Sequence, residues 1–242
     1  MRGHLAMIPD IHLDTLSVGP VRVQPFGLLL VLGLVVMHTV LARRARGLAS
    51  PAVVEGFAIA LGAGGIAAAF AAERIAGGIS MAFAAAGAVA AGSVYVAVLR
   101  LDALGFADAA AGAFPFGWAI ARLGCALVHD HLGPPSRSLL AVAFATGPRL
   151  DLGLLEWLLT PALFVAVALG TRRRHAGAVA GAVAVTYALI RFPLDGLRVG
   201  DARFGGLTAA QWGAIPLLAV GVALLAGLSR RDQGQPVSRN ET

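Results

Sequence analysis

The chain has 242 residues, of which 58% are hydrophobic and only 13% are charged, and its mean hydropathy is +0.80. A soluble domain of this length could not bury so much apolar surface in one core, so the composition excludes an ordinary soluble protein and indicates one that uses lipid as its solvent. The basic residues are all Arg and give a net charge of +6, but they lie in short clusters between apolar runs, which argues against a nucleic-acid partner.

The chain begins with a segment of mixed polar and apolar residues, 1–24. About seven apolar runs follow, each long enough for a transmembrane helix. The first segment lacks the features of a cleaved signal peptide, so we expect it to be retained. The predicted spans lie at about residues 25–41, 52–71, 79–99, 103–128, 153–170, 176–194 and 207–228. The sequence therefore predicts an all-α, polytopic membrane protein with one transmembrane domain, residues 1–228, and a disordered cytoplasmic tail, residues 229–242.

Arginine clusters predict the orientation of these spans, because basic residues near span ends are retained in the cytoplasm. The compact clusters follow odd-numbered spans: Arg43, Arg44 and Arg46 after the first, Arg172 to Arg174 after the fifth, and Arg230 and Arg231 after the seventh. We therefore expect the N-terminus outside, the C-terminus in the cytoplasm, and the longest loop, residues 129–152, on the outer face. No internal repeat is evident, so an inverted-repeat transporter has little support.

Arg122 is the first candidate site residue, because a charge inside an apolar span is costly and is often functional. It lies near the predicted outer end of the fourth span, beside Gly124, where a small residue leaves room. Its planar guanidinium can donate two parallel hydrogen bonds to a phosphate. The alternative is an arginine that only extends to the membrane interface.

A polar stripe is predicted on the sixth span, where Tyr187, Arg191, Asp195 and Arg198 follow one another at helical spacing. Pro193 is expected to interrupt the helix and to displace the later members of the stripe. The stripe is either part of a site shared with Arg122 or a structural ladder of ion pairs around Asp195. Glu156, early in the fifth span, either orients an arginine or forms a buried ion pair that only stabilises assembly.

The stretch His129-Asp130-His131 directly follows the fourth span. A histidine flanked by a carboxylate can act as a general base near neutral pH. The same residues could ligate a metal only with loop geometry and other ligands, and simple polarity at the membrane interface is a third interpretation. The single cysteine, Cys125, excludes an intramolecular disulfide and a cysteine-rich metal site.

The order of these motifs resembles the prolipoprotein diacylglyceryl transferase family over about residues 9–228. The most specific match is the block that contains Asp108, Pro115-Phe116-Gly117 and Arg122-Leu123-Gly124, which resembles the signature of that family. The stretch from Tyr187 to Arg191, with the acidic and basic positions after it, resembles the family's Tyr-x-x-x-Arg segment. Weaker matches are Ser17-Val18-Gly19-Pro20 before the first span and Gln211 at the start of the last one.

The resemblance implies a transfer at the outer leaflet of the bacterial inner membrane. A diacylglyceryl group would move from phosphatidylglycerol to the lipobox cysteine of a prolipoprotein, forming a thioether and releasing glycerol phosphate. Displacement of a phosphate requires a cationic clamp and a way to generate the thiolate. We expect no metal or cofactor. The expected substrate-binding residues are Arg122, Gly124, Glu156, Arg191, Asp195 and Arg198. The expected catalytic residues are His129, Asp130, His131 and Tyr187.

Several positions differ from what the resemblance implies. Ala82 stands where the family has a histidine after Gly-Gly-x-Ser, Cys125 where it has an asparagine, and His129-Asp130 where it has Gly-Glu. One interpretation is a divergent enzyme whose base has moved to His129 or His131. The alternative is a non-catalytic or altered-specificity paralogue that binds phospholipid.

Overall fold

A computed structural model describes residues 7–76, 81–172 and 175–232, and within them the chain forms seven helices. These helices are α1 (Pro25–Arg44), α2 (Pro51–Ala76), α3 (Met81–Val98), α4 (Ala103–Val128), α5 (Leu152–Arg172), α6 (Ala178–Gly196) and α7 (Ala209–Asp232). Six are long and apolar enough to cross a membrane, and α3 contributes a shorter apolar helix, Phe83–Val98. The predicted all-α, multi-pass membrane fold is confirmed. Residues 229–232 of the predicted disordered tail instead continue α7, and the rest of that tail, from residue 233 onward, lies outside the described residues.

Small residues bring the helices into close contact, because membrane helices associate by packing rather than by hydrophobic exclusion. The helix α4 packs against α1, α5 and α6, while α2 packs on α3 and α6 on α7. Gly33 of α1 faces Gly117 of α4 so closely that a Cβ on either residue would lie 2.7 Å from the backbone oxygen of the other. Gly181 and Gly221 make the equivalent contact between α6 and α7. The contacts of α4 with α1, α5 and α6 place this helix at the centre of the bundle.

Short strands gather at the end of the bundle where α4 and α6 end and α5 and α7 begin, here called the sheet end. They form a hairpin, a three-stranded antiparallel sheet in the order β3-β5-β4, and a second hairpin. The strands are β1 (Leu16–Val18), β2 (Val21–Val23), β3 (Leu132–Pro135), β4 (Ala141–Phe144), β5 (Gly147–Asp151), β6 (Arg203–Phe204) and β7 (Leu207–Thr208). The predicted loop 129–152 is therefore mostly a small sheet.

The N-terminal segment is attached to the sheet end by backbone pairing. Ile8 forms a parallel bridge with Val142 of β4, and the backbone N–H of Leu13 donates a hydrogen bond to the carbonyl oxygen of Leu127 in α4. These contacts hold residues from 8 to 13 across the end of α4, next to the polar side chains described below.

The predicted interruption at Pro193 is wrong, because α6 continues through this residue to Gly196. Proline removes a single backbone donor, and near the end of a helix the lost hydrogen bond leaves the rest of the hydrogen-bond ladder intact. The polar stripe therefore keeps its helical spacing. The Nη2 atom of Arg191 lies 2.7 Å from Oδ1 of Asp195, one turn further along α6.

Candidate active site

A cluster of buried charges lies inside the bundle, near its sheet end. Its members, called the ion cluster below, come from three helices: Arg122 from α4, Glu156 from α5, and Arg191, Asp195 and Arg198 from the end of α6 and the loop after it. Four of them are 8% exposed or less, with Arg198 nearer the surface. Arg122 lies about 9 Å along the helix axis from the end of α4, at 1.5 Å per residue. Unpaired charges at this depth would be very costly in free energy, so the acidic and basic side chains lie here as paired charges.

Glu156 joins the two central arginines. Its Oε2 atom lies 2.5 Å from Nε of Arg122, and its Oε1 atom accepts a hydrogen bond from Nη1 of Arg191. The two guanidinium groups, which come from separate spans, therefore meet at one carboxylate. Each retains N–H donors beyond those that contact Glu156, because a guanidinium carries five.

Asp195 forms the second acidic centre of the ion cluster. Its Oδ1 atom lies 2.7 Å from Nη2 of Arg191 and 3.3 Å from Nε of Arg198. Arg198 also donates to Asp201 at 2.9 Å, which places it between the buried cluster and the surface. The cluster is thus continuous from the interior to the surface of the sheet end.

Thr208 also belongs to this network, although its sequence position did not predict it. Its hydroxyl donates to Oδ2 of Asp195 and accepts from the backbone N–H of Gln211 at 3.2 Å. The Gln211 side-chain oxygen accepts from the backbone N–H of Thr208 at 3.1 Å, which completes a reciprocal cap at the start of α7. The Thr-x-x-Gln pattern before an apolar run was the available signal for this cap.

Aromatic side chains line the ion cluster on its inner side. The guanidinium carbon of Arg122 lies 4.1 Å from the centre of the Trp118 ring, a cation–π contact. Tyr187 packs edge-on against both Phe114 and Trp118, with ring centres 5.3 Å apart in each case. Tyr187, which the sequence predicts to be catalytic, therefore lies one helical turn before Arg191 and beside the aromatic support of Arg122.

His129 is held in a left-handed backbone conformation (φ 51°) where α4 ends. Its Nδ1 atom lies 2.5 Å from Oδ2 of Asp151, and its Nε2 atom lies 3.0 Å from Oδ1 of Asp10. Asp151 is fully buried and also accepts from the backbone N–H of Leu154 at the start of α5. Both ring nitrogens are therefore used in contacts that connect α4 with the N-terminal segment and with α5.

His131 lies apart from these contacts. Its Nδ1 atom is 2.9 Å from the backbone carbonyl oxygen of Asp130, and a quarter of its side chain is exposed. Burial, and after it the positive charge of Arg198, lowers the pKa of His131 below its usual value, although Asp130 opposes this effect. The neutral ring is therefore favoured near pH 7. Donor atoms of Asp130, His131 and Cys125 lie within 4.8 Å of one another, a spacing that suits a metal ion.

Two further residues of the predicted motif lie against neighbouring helices. A Cβ on Gly124 would lie 3.3 Å from side-chain atoms of Phe26 and Leu29, so this glycine allows α1 to approach α4. Asp108 accepts hydrogen bonds from the backbone N–H groups of Gly177, at 2.7 Å, and Ala180, at 2.8 Å. It therefore caps the start of α6, at the end of the bundle opposite the ion cluster.

Comparison with known proteins gives one family. The family profile described as prolipoprotein diacylglyceryl transferase matches residues 14–227. Proteins named phosphatidylglycerol–prolipoprotein diacylglyceryl transferase from Pseudomonas paraeruginosa and Pseudomonas aeruginosa are 33% identical over 132 residues, which is 50% of this chain and 50% of theirs. The protein of that name from Idiomarina loihiensis is 30% identical over 148 residues, 57% of this chain and 56% of its own. The matched segment thus spans about half the length of these curated relatives.

Proposed function

This chain belongs to the prolipoprotein diacylglyceryl transferase family, and from this premise we propose that it transfers a diacylglyceryl group from phosphatidylglycerol to the lipobox cysteine thiol of a prolipoprotein. The observation that carries the proposal is the meeting of Arg122 and Arg191 at the carboxylate of Glu156. The relatives' names supply the reaction and the two substrates.

The ion cluster supports the binding of an anionic lipid head. Arginine remains charged at any physiological pH, and its fork donates parallel hydrogen bonds to phosphate oxygens. A phosphate would use the donors of Arg122 and Arg191 that Glu156 does not occupy, with Arg198 nearer the surface. Glu156 and Asp195 would hold the guanidinium groups in place before the lipid arrives, so little reorganisation is needed during the reaction.

The chemical step is a displacement at the glyceryl carbon attached to phosphate. The acceptor thiol loses its proton, and the thiolate sulfur attacks that carbon. The new carbon–sulfur bond forms as the carbon–oxygen bond breaks, and the electron pair leaves on glycerol phosphate, which the arginines stabilise. We propose that His131, with Asp130 beside it, is the base that accepts the proton of the acceptor thiol. His129 is the less suitable base, because both of its ring nitrogens already contact carboxylates.

We place the sheet end on the outer face of the bacterial inner membrane, with the C-terminus in the cytoplasm. Arg43 and Arg44, in the last turn of α1, and Arg172, in the last turn of α5, lie at the other end of the bundle, as expected for the cytoplasmic side. In this orientation the ion cluster is reached from the outer leaflet, where the lipid donor and the acceptor peptide can meet.

Ala82 favours a second candidate, a paralogue that binds phospholipid without this transfer, because the resemblance implies a histidine at this position. The test that separates the two candidates is complementation of a bacterial strain depleted of its own transferase. It is paired with an assay of thioether formation on a lipobox peptide in phosphatidylglycerol vesicles. Rescue together with thioether product supports transfer. If neither complementation nor thioether formation is seen, while a standard family member succeeds in both assays, the proposed transfer is overturned.

A further inference from the structure

Three potential metal ligands meet at the sheet end beside the ion cluster. They are the Cys125 thiol, an Asp130 carboxylate oxygen and a His131 ring nitrogen, and these atoms all lie within 4.8 Å of one another. Among the described residues, this is the group of histidine, cysteine and acidic side chains with the spacing of a metal site. It combines sulfur, nitrogen and oxygen, the three donor types that Zn²⁺ takes in proteins.

The end of α4 creates this arrangement. The helix stops at Val128, and the left-handed conformation of His129 reverses the chain so that Asp130 and His131 return toward Cys125, inside the last turn of the helix. Gly153 of α5 packs on the other side of Cys125, where a Cβ would lie 3.0 Å from that of the cysteine. The contacts of His129 with Asp151 and Asp10 keep the reversal in place.

We propose that Cys125, Asp130 and His131 bind a divalent cation, with Zn²⁺ the best fit. Ligand atoms around a tetrahedral zinc are separated by about 3.3–3.6 Å, so small side-chain rotations would close this group around the ion. Cys125 is buried, whereas Asp130 and His131 are partly exposed, which leaves a fourth position open toward the sheet end. Three protein ligands and one open position are typical of catalytic rather than structural zinc.

Two hydrogen bonds determine how this group would hold an ion. The Cys125 sulfur accepts a hydrogen bond from Nη1 of Arg122 at 3.4 Å, and a bound cation would take the place of this donor. If Nδ1 of His131 donates to the carbonyl oxygen of Asp130, Nε2 is the nitrogen that a metal would use, a common arrangement for metal-bound histidine. One thiolate and one carboxylate would balance the two positive charges of the cation, and Arg122 is a further positive charge beside the sulfur.

This site differs from the one considered on sequence grounds. Adjacency in the chain groups His129 with Asp130 and His131, but both nitrogens of His129 are engaged by carboxylates. The third ligand is instead Cys125, at the position where the resemblance implies asparagine.

The test measures binding by the full chain, purified in detergent and stripped with a chelator. We expect one Zn²⁺ per chain, and with Co²⁺ a sulfur-to-metal charge-transfer band. Cys125→Ser and His131→Ala should weaken Zn²⁺ binding by more than about tenfold, since even lost outer-shell partners cost 10–100-fold. The matched control is His38→Gln, which removes a histidine paired with Glu55 outside the group and should bind like the wild type.

Asp130→Asn provides a second variant on a partly exposed residue, so the test stands even if Cys125→Ser fails to fold. Binding by Cys125→Ser equal to that of the wild type, or a Co²⁺ complex without the sulfur band, overturns the site. These readouts do not require transfer. Metal binding without thioether formation would count against the proposed function alone, whereas thioether formation by a chain that binds no metal would overturn the site alone.

Discussion

Arg122 of α4 and Arg191 of α6 contact opposite oxygens of one carboxylate, that of Glu156 on α5. This relationship makes the three helices interdependent, because each charge is buried and has its main partner on another helix. A buried charge that loses its partner is destabilising, so the same contacts that shape the site also constrain the packing of the bundle.

The first prediction tests the proposed binding of phosphate by Arg122 and Arg191. Arg122→Gln and Arg191→Gln should each lower the rate of thioether formation by about 100-fold or more, the scale found when a donor to developing negative charge is removed. Lysine at either position should restore only part of the rate, because it cannot donate two parallel hydrogen bonds. The assay uses phosphatidylglycerol vesicles and a lipobox peptide. Arg137→Gln, an exposed residue outside the ion cluster, is the control, and an equal loss there would contradict the prediction.

The second prediction concerns stability. Glu156→Gln leaves two buried guanidinium groups without their shared carboxylate, and breaking a buried ion pair costs about 3–5 kcal/mol. We expect a clearly lower unfolding temperature in detergent. Glu55→Gln, which breaks an exposed pair with His38, should change stability by less than about 1 kcal/mol. Equal unfolding temperatures for the two variants would show that the ion cluster contributes little to the fold.

The third prediction separates the two histidines. His131→Ala should reduce thioether formation by about 100-fold or more and leave the unfolding temperature near that of the wild type, because we propose that this side chain takes the proton of the acceptor thiol. His129→Ala should have the opposite pattern, since it removes the contacts with Asp151 and Asp10. Measuring rate and unfolding temperature for both variants tests the assignment, which is wrong if the two patterns are exchanged.

The fourth prediction concerns orientation. Ser138→Cys at the sheet end should react with a membrane-impermeant maleimide in intact cells, whereas the parent chain, whose Cys125 is buried, should not. Ser50→Cys, between α1 and α2, should react only after the membrane is permeabilised. Both serines are exposed, so accessibility of the side chain does not separate them. The reverse labelling pattern would place the sheet end in the cytoplasm.

Much of the fold could be read from the chain because transmembrane helices are local structures. A long apolar run must satisfy its own backbone hydrogen bonds in lipid, so length and hydropathy were enough to predict α4 at residues 103–128, where the structure has it. Helical spacing likewise indicated that Arg191 and Asp195 share a face, and they form an ion pair. The expected break at Pro193 was wrong because one missing donor near a helix end does not stop the helix.

Contacts between spans needed the tertiary structure, because they depend on how the helices approach and rotate about one another. The facing glycines Gly33 and Gly117 help to set that approach, and helical spacing within one span carries no information about it. Sequence therefore supplied Arg122, Arg191 and Glu156 as separate candidates, and packing decided that they meet. Backbone reversal at the end of α4 decided that Cys125, rather than His129, lies with Asp130 and His131, since a single left-handed residue redirects everything that follows it.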